Sequence, residues 1–208
     1  YYPKATVAVP FTPAPGARLL ARDAAARQAL IAALIAYSKD REMSSLHLLF
    51  LSPHDAQACA DSGLMLRHTV QFHWTNTKPG FADFDAFLAS LSQEKRKKIK
   101  QERRKVTDAS VRFHALEGAE ITSTDWDFFY KCYAQTYFEH GNAPYLNRDF
   151  FQRMENNMPE NWVLFIAERE GQRMACSLIG VENKVAYGRY WGALERVDCL
   201  HFEACYYQ

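Results

Sequence analysis

Three clusters in this 208-residue chain have residue types that could do chemistry. The first is a basic run from Lys95 to Lys105, with eight Lys or Arg against the single Glu102. Its charge is +7 in a chain whose net charge is +1, so the remaining residues carry −6. A concentrated cationic stretch focuses field on an anionic partner, whereas scattered charge only solubilises. The second is an arginine among aromatic residues, Tyr187-Gly188-Arg189-Tyr190-Trp191-Gly192. Core packing explains it poorly, because a buried guanidinium must be paired. The third is Leu200-His201-Phe202-Glu203-Ala204-Cys205, where an imidazole and a carboxylate are both able to accept a proton. On a helix, residues two apart point in nearly opposite directions, so at most one of His201 and Glu203 faces a cleft; Glu203 is preferred.

Each cluster also has a plainer reading. The basic run reads equally as a solvated helix face, partly neutralised by the spacing of Glu94 to Lys98 and Glu102 to Lys105. The aromatic strand and His201 read as packed core. His201 and Cys205 are four apart, the spacing of a thiol and its base, but no orienting acid or oxyanion hole accompanies them. The seven His are dispersed and form no ligand set, so no metal is expected. Five Cys, an odd number without framework spacing, point to a reducing compartment and thiols that pack as small hydrophobes.

The elements that must carry these residues follow from periodicity and turn signals. Val7 to Phe11 reads as a strand closed by the loop Thr12-Pro13-Ala14-Pro15-Gly16, Asp23 caps a helix to about Ser38, and Leu46 to Leu51 reads as a strand buried on both faces. That order predicts a parallel βαβ unit. Ser52-Pro53-His54-Asp55 opens a short helix that Gly63 stops. Residues 64 to 74 alternate as a strand with Gln71 and His73 on its polar side; the two read as strand-surface residues or as ligand contacts.

The turn-rich Thr75 to Gly80 is the candidate boundary, separating residues 1–77 from residues 81–208. Beyond it lie an amphipathic helix from Phe84 to Leu91 and a basic helix, 92–105, capped by Ser92 with only Ile99 and Val106 apolar. Val111 to Leu116 reads as a strand, Thr124 to Asp127 as a capping box opening an aromatic helix, and Asn147 as the cap of another that Pro159 ends. Three antiparallel strands follow, Trp162 to Arg169, Arg173 to Val181 and Val185 to Trp191, with Tyr187, Arg189 and Trp191 on one face of the last. Leu200 opens the final helix.

A chain of this length can bury roughly 70% of its unfolded surface. No apolar run approaches the ~18 residues of a membrane span and no signal peptide opens the chain, so a cytoplasmic location is expected. Both ends read as internal, Tyr1 lying next to a strand and Gln208 inside a helical pattern, so a fragment of a longer protein is expected.

Gln71-Phe72-His73-Trp74, the run Lys95 to Arg104, the pattern Phe129-Tyr130 to Tyr145-Leu146, Tyr187 to Gly192 and Leu200 to Gln208 together resemble the Fem-like branch of the GNAT acyltransferase superfamily. The resemblance covers essentially the whole chain. It implies an α/β fold of tandem GNAT-like mixed sheets flanked by helices, both halves incomplete: 1–77 the C-terminal half of a first domain and 81–208 the N-terminal part of a second. It also implies acyl or aminoacyl transfer to an amine, with a peptidoglycan precursor as acceptor. The donor would be aminoacyl-tRNA or acyl-CoA, and no cofactor would be tightly bound. In this setting Glu203 or His201 takes the proton of the attacking amine, and Arg189, Tyr190, Tyr187, Trp191, Gln71 and His73 bind substrate. Lys97, Lys98, Arg103 and Arg104 hold the anionic donor. The spaced glycines of the GNAT pyrophosphate motif are not evident between Gly192 and Leu200, which favours the Fem-like donor over coenzyme A. A CoA-dependent N-acetyltransferase and a non-catalytic peptidoglycan- or nucleic-acid-binding module remain the alternatives.

Overall fold

Two parallel strands need a crossover of a dozen or more residues between them, and the helix Ala24–Asp40 is that crossover. The computed structural model describes residues 2–9 and 13–208, which divide into two compact units, one up to Thr75 and one from Asn76. The first contains β1 (Lys4–Val7), α1 (Ala24–Asp40), β2 (Ser45–Leu48) and α2 (Pro53–Asp61). The strands pair in parallel, Lys4 opposite Ser45 and Val7 opposite Leu48. The Asp23 side chain caps α1 by accepting from the Ala26 N–H at 2.7 Å, and Ser52 caps α2. Leu19, Ile31, Ala58 and Cys59 form the apolar core.

Three expectations change in this unit. Of the strand expected over residues 7–11, only Val7 is in β1, and Pro10, Phe11 and the following Thr12 lie outside the described residues. β2 ends at Leu48 because Phe50 adopts a left-handed φ of 54° that turns the chain out of the ladder. Its residues are half-buried or exposed, since the sheet has only two strands. Residues 64–74 form no strand. Alternation selects a face, but a strand exists only where a partner satisfies its N–H and C=O groups. Among the described residues no strand pairs with this stretch, and Phe72 is fully exposed.

A buried carboxylate organises the loop before α1. Asp55 accepts from the N–H groups of Arg18 at 2.7 Å and Leu19 at 3.3 Å and from Arg27 Nε at 2.8 Å. Burial pushes its pKa up, but the Arg18 and Leu19 N–H groups, Arg27 and Ser52 together outweigh burial and hold it below the usual value.

The second unit is a four-stranded antiparallel sheet, ordered β3-β4-β5-β6, between two helical layers. Its elements are α3 (Phe84–Ala89), α4 (Gln93–Asp108), β3 (Arg112–Glu117), α5 (Ser123–Glu139), α6 (Arg148–Asn157), β4 (Trp162–Arg169), β5 (Gln172–Glu182), β6 (Val185–Ala193) and α7 (Leu200–Phe202). A π-helical turn (Glu203–Tyr207) follows. Leu164, Ile166, Cys176 and Leu178 face α5 and α6, packing with Trp126, Phe129, Tyr133, Phe151 and Tyr190. Ala167, Met174 and Ala175 pack instead with Val106 of α4 and Leu200 of α7. Thr122, rather than Thr124, caps α5, in a reciprocal box with Asp125. Asp125 is buried and pairs with Arg173 Nη1 at 2.7 Å, fixing the start of α5 to β5.

Gly192 is where α5 meets β6. A Cβ there would lie 2.1 Å from the Cys132 carbonyl oxygen, so only glycine allows helix and strand to approach this closely. One register feature was not expected. Leu178 pairs with Tyr190 but Ile179 pairs with Gly188, leaving Arg189 as an extra residue. The alternation resets at this bulge. Tyr187 pairs with Gly180, beside Trp162, and so leaves the face that carries Trp191.

Candidate functional site

A groove of about 160 Å³ lies at the bulge that leaves Arg189 as an extra residue of β6. Its walls include Ile179, Gly188, Arg189 and Trp191 from the strands and His201, Cys205 and Tyr206 from the final helical segment. Gly188 has no atom within 4 Å of where a Cβ would stand, so the mouth is open on its side. Arg189 is exposed, and its guanidinium lies 5.3 Å from the Tyr190 ring centroid. Among the described residues no carboxylate comes within ion-pair distance of it. A cation held on an aromatic face without an acid partner is available to an anion or a polarised carbonyl.

His201 lines the same groove. Its ring makes edge contacts with Trp191 at 5.4 Å and Tyr206 at 5.8 Å and a tilted contact with Phe202 at 5.7 Å. His201 is exposed overall, but the desolvation these rings impose lowers its pKa below the usual histidine value, so the imidazole is mostly neutral at pH 7 and can accept a proton. Cys205 cannot serve as a thiolate beside it, since burial pushes its pKa up to about 12.

Glu203 faces elsewhere. It is 4% exposed and is not among the groove residues. Arg103 of α4 donates from Nε to its two carboxylate oxygens at 3.0 and 3.2 Å and brings Nη2 to 3.0 Å from Oε1. Gln208 Nε2 adds a bond to Oε1 at 2.6 Å. The expectation that only one of His201 and Glu203 faces a cleft agrees with this geometry, but the residue lining the groove is His201.

The basic helix is thus divided in its roles. Arg103 is engaged with Glu203, and Lys98 lies 3.9 Å from Glu102. Lys97 and Arg104 are exposed, with Lys100 between them on the same face at helical spacing. Val106 is the buried anchor on the opposite side. Gln71 and His73 belong to the first unit, where Gln71 Nε2 donates to the Pro13 carbonyl and His73 is exposed.

Sequence reasoning missed Lys100, the Arg103–Glu203 pair and the bond from the Tyr207 hydroxyl to Glu102 at 2.7 Å. The heptad-like spacing of Lys97, Lys100 and Arg104 was the available signal for the first. Nothing local signalled a pair 100 residues apart. Among the described residues no group of three or more His, Cys, Asp or Glu is placed to hold a metal ion, and no helix is long and apolar enough to cross a membrane.

A family described as FemAB-like, peptidoglycan biosynthesis/recognition, matches residues 1–208. No curated protein matches the chain.

Proposed function

The chain belongs to the FemAB-like peptidoglycan biosynthesis/recognition family, and we propose that it is an acyl or aminoacyl transferase whose groove at Arg189 and His201 is the transfer site. The acceptor is an amine of a peptidoglycan precursor. The donor is an anionic carrier, aminoacyl-tRNA rather than acyl-CoA, guided by the exposed cations of α4. On this reading the two units are parts of two GNAT-like domains in tandem.

The chemistry follows from the residues present. The amine nitrogen bonds to the acyl carbon, the bond from that carbon to the carrier breaks, and the amine proton passes to His201. The same imidazolium then protonates the departing carrier oxygen, or sulfur if the donor is a thioester. Arg189 stabilises the oxyanion that develops on the acyl oxygen. Trp191 and Tyr206 keep the imidazole partly desolvated and so neutral. The observation that carries the proposal is the juxtaposition in one groove of an unpaired guanidinium and a neutral imidazole.

The test is product formation, read by mass spectrometry, from a muropeptide amine with aminoacyl-tRNA or acyl-CoA as donor. Transfer by the wild type that falls at least tenfold in Arg189→Gln supports the reading. Muropeptide binding with no turnover from either donor would replace it with a recognition module.

A further inference from the structure

We propose that Arg103 and Glu203 are positioning residues for the groove: their ion pair fixes the π-turn that sets His201 against Trp191. The proposal rests on the reading of the groove as the transfer site and deepens it. The basic helix becomes part of the frame of the site as well as a charged surface.

The turn is gripped at both ends. At its start, Glu203 is held by two nitrogens of Arg103. At its end, the Tyr207 hydroxyl donates to Glu102 at 2.7 Å, and Gln208 closes back on Glu203. The backbone bond from the Gln208 N–H to the Glu203 carbonyl, 3.1 Å, is the five-residue step of a π-helix. Single π-turns of this kind are uncommon and survive where tertiary contacts enforce them, often at functional sites. Phe84 completes the clamp, lying 4.7 Å from the Arg103 guanidinium and 6.0 Å from the Tyr207 ring.

The side chains between and just before these anchors, Cys205, Tyr206 and His201, are the ones that line the groove. Removing Arg103 would leave a carboxylate buried and uncompensated. The turn must then rotate to return Glu203 to water, and His201 moves off Trp191. α4 itself stays docked through Val106, so the loss is one of orientation.

Tryptophan fluorescence of the full chain tests this without substrate, because a protonated imidazole quenches an indole it touches. The His201→Gln variant gives the baseline from all four tryptophans, Trp74, Trp126, Trp162 and a Trp191 with no imidazole against it. Arg189, Tyr190, Cys205 and Tyr206 are the other charged or titratable groups lining the groove. In the wild type the His201-dependent quench has its midpoint below the ordinary value of about 6.5. In Arg103→Met and Glu203→Gln its amplitude is expected to fall at least twofold with the midpoint moving up toward ~6.5. The double swap Arg103→Glu with Glu203→Arg restores part of it. Wild-type amplitude and midpoint in both single variants would overturn the proposal. If Arg103→Met does not fold by circular dichroism, Arg103→Lys carries the test, since Lys keeps the charge without the two-pronged geometry; an unaltered quench in that variant is equally fatal. Because no donor or acceptor is present, a failure here leaves the transferase reading standing. A shifted quench in a protein that transfers nothing has the opposite meaning.

Discussion

The same substitution at two glycines of β6 should have opposite consequences. An alanine Cβ at Gly192 would lie 2.1 Å from the Cys132 carbonyl oxygen and 2.3 Å from its carbon. Both are backbone atoms in the middle of α5, a helix whose aromatic residues fill the main core. Relief requires α5 to move more than an ångström away from the sheet, loosening Phe129 and Tyr133 against Tyr190. Overpacking typically costs about 1–3 kcal/mol, and a collision with helix backbone belongs at roughly 3 kcal/mol or above. For a unit of this size that is about 10 °C in Tm. At Gly188 no atom lies within 4 Å of the Cβ position. Alanine there should change stability by less than about 1 kcal/mol, with a small gain from restricting the unfolded chain. Thermal unfolding followed by near-ultraviolet circular dichroism reports the packing of the aromatic core directly. Equal Tm values for Gly192→Ala and Gly188→Ala would refute the register on which the groove depends.

Other outcomes follow from the same geometry. Asp55→Asn should raise hydrogen exchange in α1 and β2, with no change in α4, at a local cost of up to about 3–5 kcal/mol for a broken buried pair. The folded pKa of Asp55 lies below its unfolded value, so its contribution is present above about pH 4 and lost as pH falls through the folded pKa. The variant should therefore lack the acid-dependent part of that exchange profile. Replacing Lys97, Lys100 and Arg104 with Gln should weaken binding of single-stranded RNA and flatten its log–log salt slope by about 0.7 for each phosphate no longer neutralised, as read by fluorescence anisotropy. Lys98→Gln should change the slope less, because that side chain already faces Glu102.

Much of the fold is legible in local chemistry. Asp23, Ser52, Ser92 and Asn147 each cap the helix that their sequence context predicts. The two hairpins of the meander turn at Glu170-Gly171 and Asn183-Lys184, all four with positive φ, the geometry of tight two-residue turns. These signals work because the residue and its structural partner lie within a few positions of each other. Residues 64–74 show the limit, since their alternation is strand-like while no described strand pairs with them.

The site was harder to read for the same reason. Arg189, Trp191 and His201 are conspicuous by type, but the bulge that aims Arg189 is a property of pairing with β5 and leaves no local mark. Glu203 looked the better base on chemical grounds alone. Its partner, Arg103, lay within a basic run where any cation could be solvent-facing, and only the packing of Val106 and Phe84 turns that one toward the carboxylate. The expectation that Tyr187 would join Trp191 failed on the single residue added at position 189.

The most direct measurement is kcat/KM for acyl transfer to a muropeptide amine by His201→Gln, at pH 7.5, beside the wild type and with both shown to be folded. Loss of the proton acceptor should lower it by about 10²–10⁴-fold, and the wild-type profile should fall on its acid side as His201 protonates, below about pH 6.5. A His201→Gln enzyme that keeps the wild-type rate and the same acid limb would contradict the assignment of this groove.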